Sequence, residues 1–350
     1  MVRTTPRTHR VRDIAQQAGL SEATVDRVLH GRVGVSPRAV RAVEQAVMDL
    51  DRQQSQLRLA ARTLVIDVVM QAPERFSAAV RAAVEAALPA IRPAAVRARF
   101  DLRENADPTA ATASLDAVGA RGRLSHGVLL KAPDHPDVAA AVRRVVERGI
   151  PVVTLVTDVH DCGRAAYVGL DNSAAGRTAA YLVSRWVGPA HGTVLVTSSG
   201  SAFFGETERI AAFDTQLRLL APRLRTTLVT DTDGLDASLV RAVRAALAAD
   251  RSICAVYSVG GGNRATAAEL EREGRDCRVF VAHDLDADNL ELLRTGAVSA
   301  VLHHDLGADI RSALRQVMRA HRLSPGAPVS VAANVEVVTP YNVPRRLRPD

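Results

Sequence analysis

The strongest constraint on this chain is an alternation. Nine short apolar runs, "LVIDVVM" (64–70), "VRARFDL" (96–102), "GVLLKA" (127–132), "PVVTLV" (151–156), "GTVLVT" (192–197), "TTLVT" (226–230), "ICAVYSV" (253–259), "RVFVAHD" (278–284) and "AVSAVLHHD" (297–305), are separated by Ala- and Arg-rich spacers. Runs this continuous in Val, Leu and Ile suit strands buried on both faces, and spacers of roughly 15–25 residues suit crossover helices. The repeating unit is therefore βα, and the sheets are expected to be parallel. So many strands exceed one comfortable open sheet, which predicts an α/β fold of two successive doubly wound lobes. A seam is expected in "YVGLDNSAAGRTAAYL" (167–182), where a strand ends at Asp171-Asn172 and a helix begins. Ligands of doubly wound sheets bind beyond the carboxyl ends of the strands, so two facing lobes would enclose a cleft lined by strand-end residues.

A chain of 350 residues with 47% hydrophobic content can build two or three cores, and with only 3% aromatics those cores must be packed from small aliphatic side chains. Basic charge is almost all arginine, Lys131 being the only lysine. Charge is also unevenly placed: residues 1–62 carry eleven Arg against six acids, a net +5 of the chain's +7. Such concentration suits a segment that meets a polyanion, although an Arg-rich composition would also make an ordinary solvated helix basic. The three cysteines, Cys162, Cys254 and Cys277, form no CxxC pair or Cys/His cluster. They predict buried thiols in a reducing compartment, with no disulfide frame, metal site or cofactor. The start "MVRTTPRTHR" is followed by no apolar stretch, and no run approaches membrane-spanning length, so a cytoplasmic chain without a membrane partner is expected.

The basic N-terminus has its own helical pattern. Val11, Ile14, Ala15 and Ala18 recur at helical spacing, and Gly19 permits the left-handed turn that closes a helix. Ser21 can cap a second helix with Val25, Val28 and Leu29 turned inward. Ser36-Pro37 opens a third helix that would bury Val40, Val43, Val47 and Leu50. Three small helices packed this way form a helix-turn-helix unit. Its second helix, Ser21 to His30, would enter a major groove with its first turns facing base edges. The competing reading is a three-helix bundle that never meets nucleic acid.

"VRDIAQQAGLSEATVDRVLHGRVGVSPRAVRAVEQAVMDL" closely resembles the headpiece of LacI/GalR-type transcriptional regulators, with its Asp-[Ile/Val]-Ala helix, Ala-Gly-[Val/Leu]-Ser turn and Thr-Val-x-Arg-Val recognition helix. The remainder resembles the periplasmic sugar-binding fold that this family carries as its effector-binding core. The resemblance implies residues 1–50 as headpiece and 51–63 as linker or hinge. It further implies a first lobe of 64–172 plus about 305–333, and a second of 173–304 plus about 334–345. It places Arg12, Ser21, Glu22, Ala23, Thr24, Asp26, Arg27, His30 and Arg32 at the DNA. Asp26 stands where the family usually has Ser; an acid there repels phosphate yet can accept from a cytosine amino group, so the operator does not transfer. Family linkers usually read Tyr-x-Pro-Asn before a hinge helix that wedges a Leu into the minor groove. Here the stretch is "RQQSQLRL", with Leu57 and Leu59 as the candidate wedges.

The same resemblance locates an effector site. In "QAPERF", Phe76 resembles the aromatic that stacks on a sugar face, against the plainer reading of a core Phe at a helix start. Thr157-Asp158 replaces the family's Asp-Arg pair, leaving Asp158 as a shifted candidate. In "GETERIAAF", Arg209 matches an effector-binding Arg able to grip vicinal hydroxyls or a carboxylate, against a surface ion pair with Glu206 or Glu208. Asn263 in "SVGGGNRA", Asp284 in "VAHDLDADN", with His283 beside it, and His304 in "VLHHDLG" complete the set. These donors and acceptors suit a sugar, polyol or sugar acid.

The expected function is a DNA-binding regulator, a repressor by the commoner family behaviour. A homodimer would hold two headpieces on an operator in double-stranded DNA, and effector would shift lobe closure. The alternative is a helix-turn-helix fused to a sugar kinase or hydrolase, but no Walker lysine, GxSxG elbow or metal spacing supports chemistry, and no enzyme is expected. A secreted solute-binding protein conflicts with the headpiece.

Overall fold

The computed structural model describes residues 9–60, 63–104, 107–199, 203–230 and 236–347. The chain divides into an N-terminal helical unit and a larger α/β unit. The helical unit contains α1 (Val11–Ala18), α2 (Glu22–Leu29) and α3 (Pro37–Ala60). Gly19 closes α1 at φ 63°, a left-handed conformation that costs glycine nothing. Ser21 Oγ accepts the Thr24 N–H at 3.2 Å and caps α2, and Ser36 Oγ accepts the Ala39 N–H at 3.2 Å. Ile14, Ala15, Val25, Val43 and Ala46 form the core, with Val11, Val28, Val47 and Leu50 at its margin.

Two expectations are corrected here. Leu29 is 39% exposed. Val25 and Val28 already occupy the inward face of α2, and a residue one step beyond Val28 is turned about 100° away. On α3 the buried stripe runs through Ala39, Val43 and Ala46, leaving Val40 and Val47 half-buried. The helix also continues through residue 60, so the backbone of 51–60 is helical. The side chains of Leu57 and Leu59 lie outside the described residues.

The α/β unit holds two six-stranded sheets. The first contains β1 (Thr63–Gln71), β2 (Ala95–Arg103), β3 (Gly127–Lys131), β4 (Val152–Leu155), β5 (Ala166–Leu170) and β11 (Val331–Ala333), in the order β11-β5-β4-β3-β1-β2. The second contains β6 (Gly192–Ser198), β7 (Leu224–Thr230), β8 (Ile253–Ser258), β9 (Val279–His283), β10 (Ala300–His303) and β12 (Glu336–Val338), in the order β12-β10-β9-β8-β6-β7. β10 and β12 pair antiparallel, whereas β3 with β4, β6 with β8 and β8 with β9 are parallel. β3, β4 and β6 are buried at every position, as strands covered on both faces must be, and the edge strand β2 is half-exposed. The nine apolar runs all form strands. β11 and β12 are three residues each, too short to carry a period.

The chain passes between the sheets three times: at Asp171 after β5, from β10 into the helix Leu306–Ala320, and from β11 to β12. The helix Asn172–Val187 lies against the helix Phe204–Leu220, and Gly176 permits the approach. A Cβ there would drive into the Arg209 carbonyl oxygen and stand 2.9 Å from Phe213 N. Cys162 is buried, while Cys254 and Cys277 are only half-buried, so the expectation of three buried thiols holds for one. Among the described residues no helix is long and apolar enough to cross a membrane.

Candidate functional site

The carboxyl ends of the central strands of both sheets open onto one cavity of about 400 Å³. From the first lobe come Ala72 and Pro73 after β1, Arg75 and Phe76 on α4 (Glu74–Ala87), Lys131 at the end of β3, and Val156 and Thr157 after β4. The second lobe contributes residues after β6 and β8, among them Ser199, Phe203, Glu206, Arg209 and Gly260, and a set after β9 and β10 that includes Asp284, Asp286, Asn289 and His304. Two of these turns hold non-glycine residues in the left-handed region, Val156 at φ 67° and Asp284 at φ 62°. For a β-branched residue that conformation costs on the order of 1–3 kcal/mol, which the surrounding packing must offset.

The lobes touch across this cavity. The Gly205 N–H donates to Thr157 Oγ1 at 3.1 Å, Arg75 Nε lies 3.3 Å from a carboxylate oxygen of Asp286, and the Lys131 ammonium stands 3.4 Å from the centre of the Phe203 ring. Arg209 is 4% exposed. Its Nε donates to Asn172 Oδ1 at 2.8 Å and its Nη1 to the Val259 carbonyl at 3.0 Å, which fixes the guanidinium plane against the cavity. Glu206 accepts from Ser198 Oγ, Ser199 N and Ser199 Oγ.

The histidines are held in distinct states. Burial opposes charge on His304, but the hydrogen bond with Asp309 and the fields of Asp284 and Asp309 outweigh it and raise its pKa. Burial, helped by the charges of Arg209 and His304, holds His283 well below its ordinary value, so it is neutral and shares a 2.9 Å hydrogen bond with the Tyr257 hydroxyl. Burial also pushes the Lys131 ammonium down to about 8, against the opposing fields of Glu206 and Asp284.

Of the residues expected from sequence, Phe76, Arg209, Asp284 and His304 line the cavity together. Asp158 is not among the lining residues: its carboxylate is engaged by Arg164, by Thr154 Oγ1 at 2.7 Å and by the Val159 N–H at 2.9 Å. Asn263 lies behind the lining, donating at 2.7 Å to Asn289 Oδ1, and it is Asn289 that reaches the cavity. Lys131, Glu206, Phe203 and Arg75 were missed. Lys131 carried a signal, as the one lysine of the chain at a strand end; the others sit in helical starts that resemble any solvated helix.

On the helical unit, Arg12, Ser21, Glu22, Ala23, Arg27, His30 and Arg32 are exposed, and Thr24 and Asp26 are half-buried. Asp26 pairs with His30 Nδ1 at 3.0 Å and with Arg32 Nη1 at 3.3 Å, so its charge is largely answered within the unit.

Sequence comparison finds two family matches. Residues 10–52 match the family of bacterial regulatory proteins named lacI, and residues 66–322 match the periplasmic binding protein domain. No curated protein sequence matches the chain. Solved structures share the fold of the α/β unit. A glucose-galactose binding protein, GanP, from Geobacillus stearothermophilus superposes with a TM-score of 0.72 at 16% identity, covering 81% of this chain and 99% of its own. A transporter solute-binding protein from Burkholderia graminis in complex with D-arabinose gives 0.72 at 20% identity, covering 81% and 97%. One from Bacillus halodurans with bound myo-inositol gives 0.68 at 14%, covering 81% and 96%.

Proposed function

This chain belongs to the lacI family of bacterial regulatory proteins, with a periplasmic binding protein domain as its core, and we propose that a sugar-like effector held between the lobes sets its affinity for an operator. The observation that carries the reading is the cavity itself. Its lining joins fixed donors and acceptors from both lobes, Arg209, Glu206, Asp284, Asn289 and Thr157, with the aromatic rings of Phe76 and Phe203. Polar groups that converge on a site with aromatic walls suit a polyhydroxylated ligand, whose hydroxyls need paired donors and acceptors and whose ring face is apolar. The solved structures of the same fold were determined as binders of glucose and galactose, arabinose and myo-inositol, which supports that class.

On the DNA side, α2 is the major-groove reader of a helix-turn-helix. The exposed Ser21, Glu22, Ala23 and Arg27 face base edges and Arg12 contacts phosphate, while His30 and Arg32 stand at the DNA engaged by Asp26. A homodimer presents two such helices to the half-sites of one operator. Effector bridging both lobes favours their closed arrangement, and the population shift between arrangements is read out as operator affinity. The sense is repression relieved by effector.

A gel shift of the full chain on its own upstream DNA, with and without a panel of sugars, polyols and sugar acids, tests the proposal. A specific shift that one compound weakens at least tenfold is expected. Absence of specific binding with and without every compound overturns it.

A further inference from the structure

Two buried cations reach the cavity from opposite lobes. Lys131, of the first lobe, is 8% exposed. Its ammonium donates at 3.1 Å to the Gln71 carbonyl and lies over the rings of Phe203 and Phe76, at 3.4 Å and 5.8 Å from their centres. Arg209, of the second lobe, is 4% exposed and spends Nε and Nη1 on an amide oxygen and a backbone carbonyl. Among the described residues neither has a carboxylate oxygen within 4.0 Å, the limit of an ion pair. The charge of Arg209 disfavours that of Lys131.

The acids of the cavity are differently placed. Glu206 is held by three donors from Ser198 and Ser199, Asp286 pairs with Arg75, and Asp284 stands 3.7 Å from His304 Nε2. Glu104 also lines the cavity, while among the described residues the hydrogen bonds of Lys131 and Arg209 end on neutral oxygens. A buried cation without an anion is costly, and the cost falls when a ligand supplies the anion.

We propose that the effector is a polyol bearing a carboxylate, a sugar acid, whose acid group is held between Lys131 and Arg209; this rests on the effector-binding reading above. The anion would be shared by two lobes, so it would stabilise their closed arrangement in a way that a neutral sugar does not. A monoanion is favoured over a phosphate dianion because Glu206 and Asp284 also act on Lys131 and would repel the second charge.

The test is thermal shift and calorimetry on the full chain with matched pairs: D-galacturonate with D-galactose, D-glucuronate with D-glucose, D-gluconate with D-glucitol, and D-glucose 6-phosphate as the dianion. At least one acid should bind tenfold or more tighter than its neutral partner. Lys131→Met should cut the acid's affinity at least tenfold more than that of its neutral partner. Removal of an unpaired buried charge should also leave the ligand-free variant melting at or above the wild type, which shows that it folds. The proposal is overturned if a neutral partner matches its acid, if Lys131→Met retains the acid's affinity, if the phosphate binds better than every carboxylate, or if no acid binds. Operator binding in the gel shift is read separately: if it persists while the acids fail, only the assignment of the acid group falls, and if it too is absent the regulator reading falls.

Discussion

Arg75 of the first lobe and Asp286 of the second form an ion pair across the cleft, with Nε 3.3 Å from a carboxylate oxygen. Asp286 also caps the helix Ala287–Thr295, accepting the Asn289 N–H at 2.8 Å. The two roles separate in a double-mutant cycle. The pair is partly exposed, so its coupling should be small, about 0.2–1 kcal/mol. Asp286→Ala should cost a further ~1 kcal/mol for the lost cap. Urea unfolding of both single variants and the double variant measures both terms, and a coupling near zero would remove the pair from any account of lobe closure.

Asp26 is bound to Arg32 and His30 on the helical unit. Asp26→Ala frees Arg32 for phosphate. Operator binding should strengthen at low salt, and the slope of log affinity against log salt should steepen by about 0.9, the value for one added phosphate contact. Titration at several salt concentrations gives the slope directly; an unchanged slope means that Arg32 does not reach the backbone.

His304 has a pKa raised above its ordinary value, so it binds its proton more tightly folded than unfolded. Its contribution is therefore fully present below about pH 6.5 and lost as pH rises through the raised folded value. His304→Gln should cost more stability at pH 6 than at pH 9. Denaturant unfolding of both proteins at the two pH values checks the sign, and an equal or reversed difference contradicts the protonated assignment.

Gly176 lets the helices Asn172–Val187 and Phe204–Leu220 approach backbone to backbone beside Arg209. In Gly176→Ala the new methyl meets main-chain atoms, which cannot swing aside as a side chain can. A loss of about 1–3 kcal/mol is expected. Because Arg209 sits on the displaced turn, effector affinity should fall with stability, whereas operator binding by the helical unit should not.

The sheets were legible because strands buried on both faces must be continuously apolar, and nine such runs stand out against Arg-rich spacers. The helical unit was legible from period and caps, Ser21 and Ser36 serving as read. What failed did so for local reasons. Leu29 was judged by type rather than by its angle around α2. Asn263 and Asp158 were judged by position in a motif, but a side chain's direction follows from its neighbours: Asn289 draws Asn263 behind the wall, and Arg164 holds Asp158. Lys131 stands out as the one lysine, but "GVLLKA" reads as core around it, and nothing in the run says that it faces a cavity. Continuation of α3 through residue 60 fits a stretch that reads as a linker able to become helical, since a polar stretch suits a linker and a solvated helix alike.

The order of synthesis makes the triple passage between sheets matter. One face of the first lobe receives the helix Leu306–Ala320, with Val317 seated on Gly127, and its outer strand β11 pairs with β5 more than 150 residues earlier in the chain. On the ribosome, then, the first lobe waits with that face bare until five of the second sheet's six strands have emerged, whereas α1 and α2 are complete almost at once. Contacts so distant in sequence fold late and leave apolar surface open meanwhile. A nascent chain of this protein would carry a finished DNA reader well before it has a cleft to govern it.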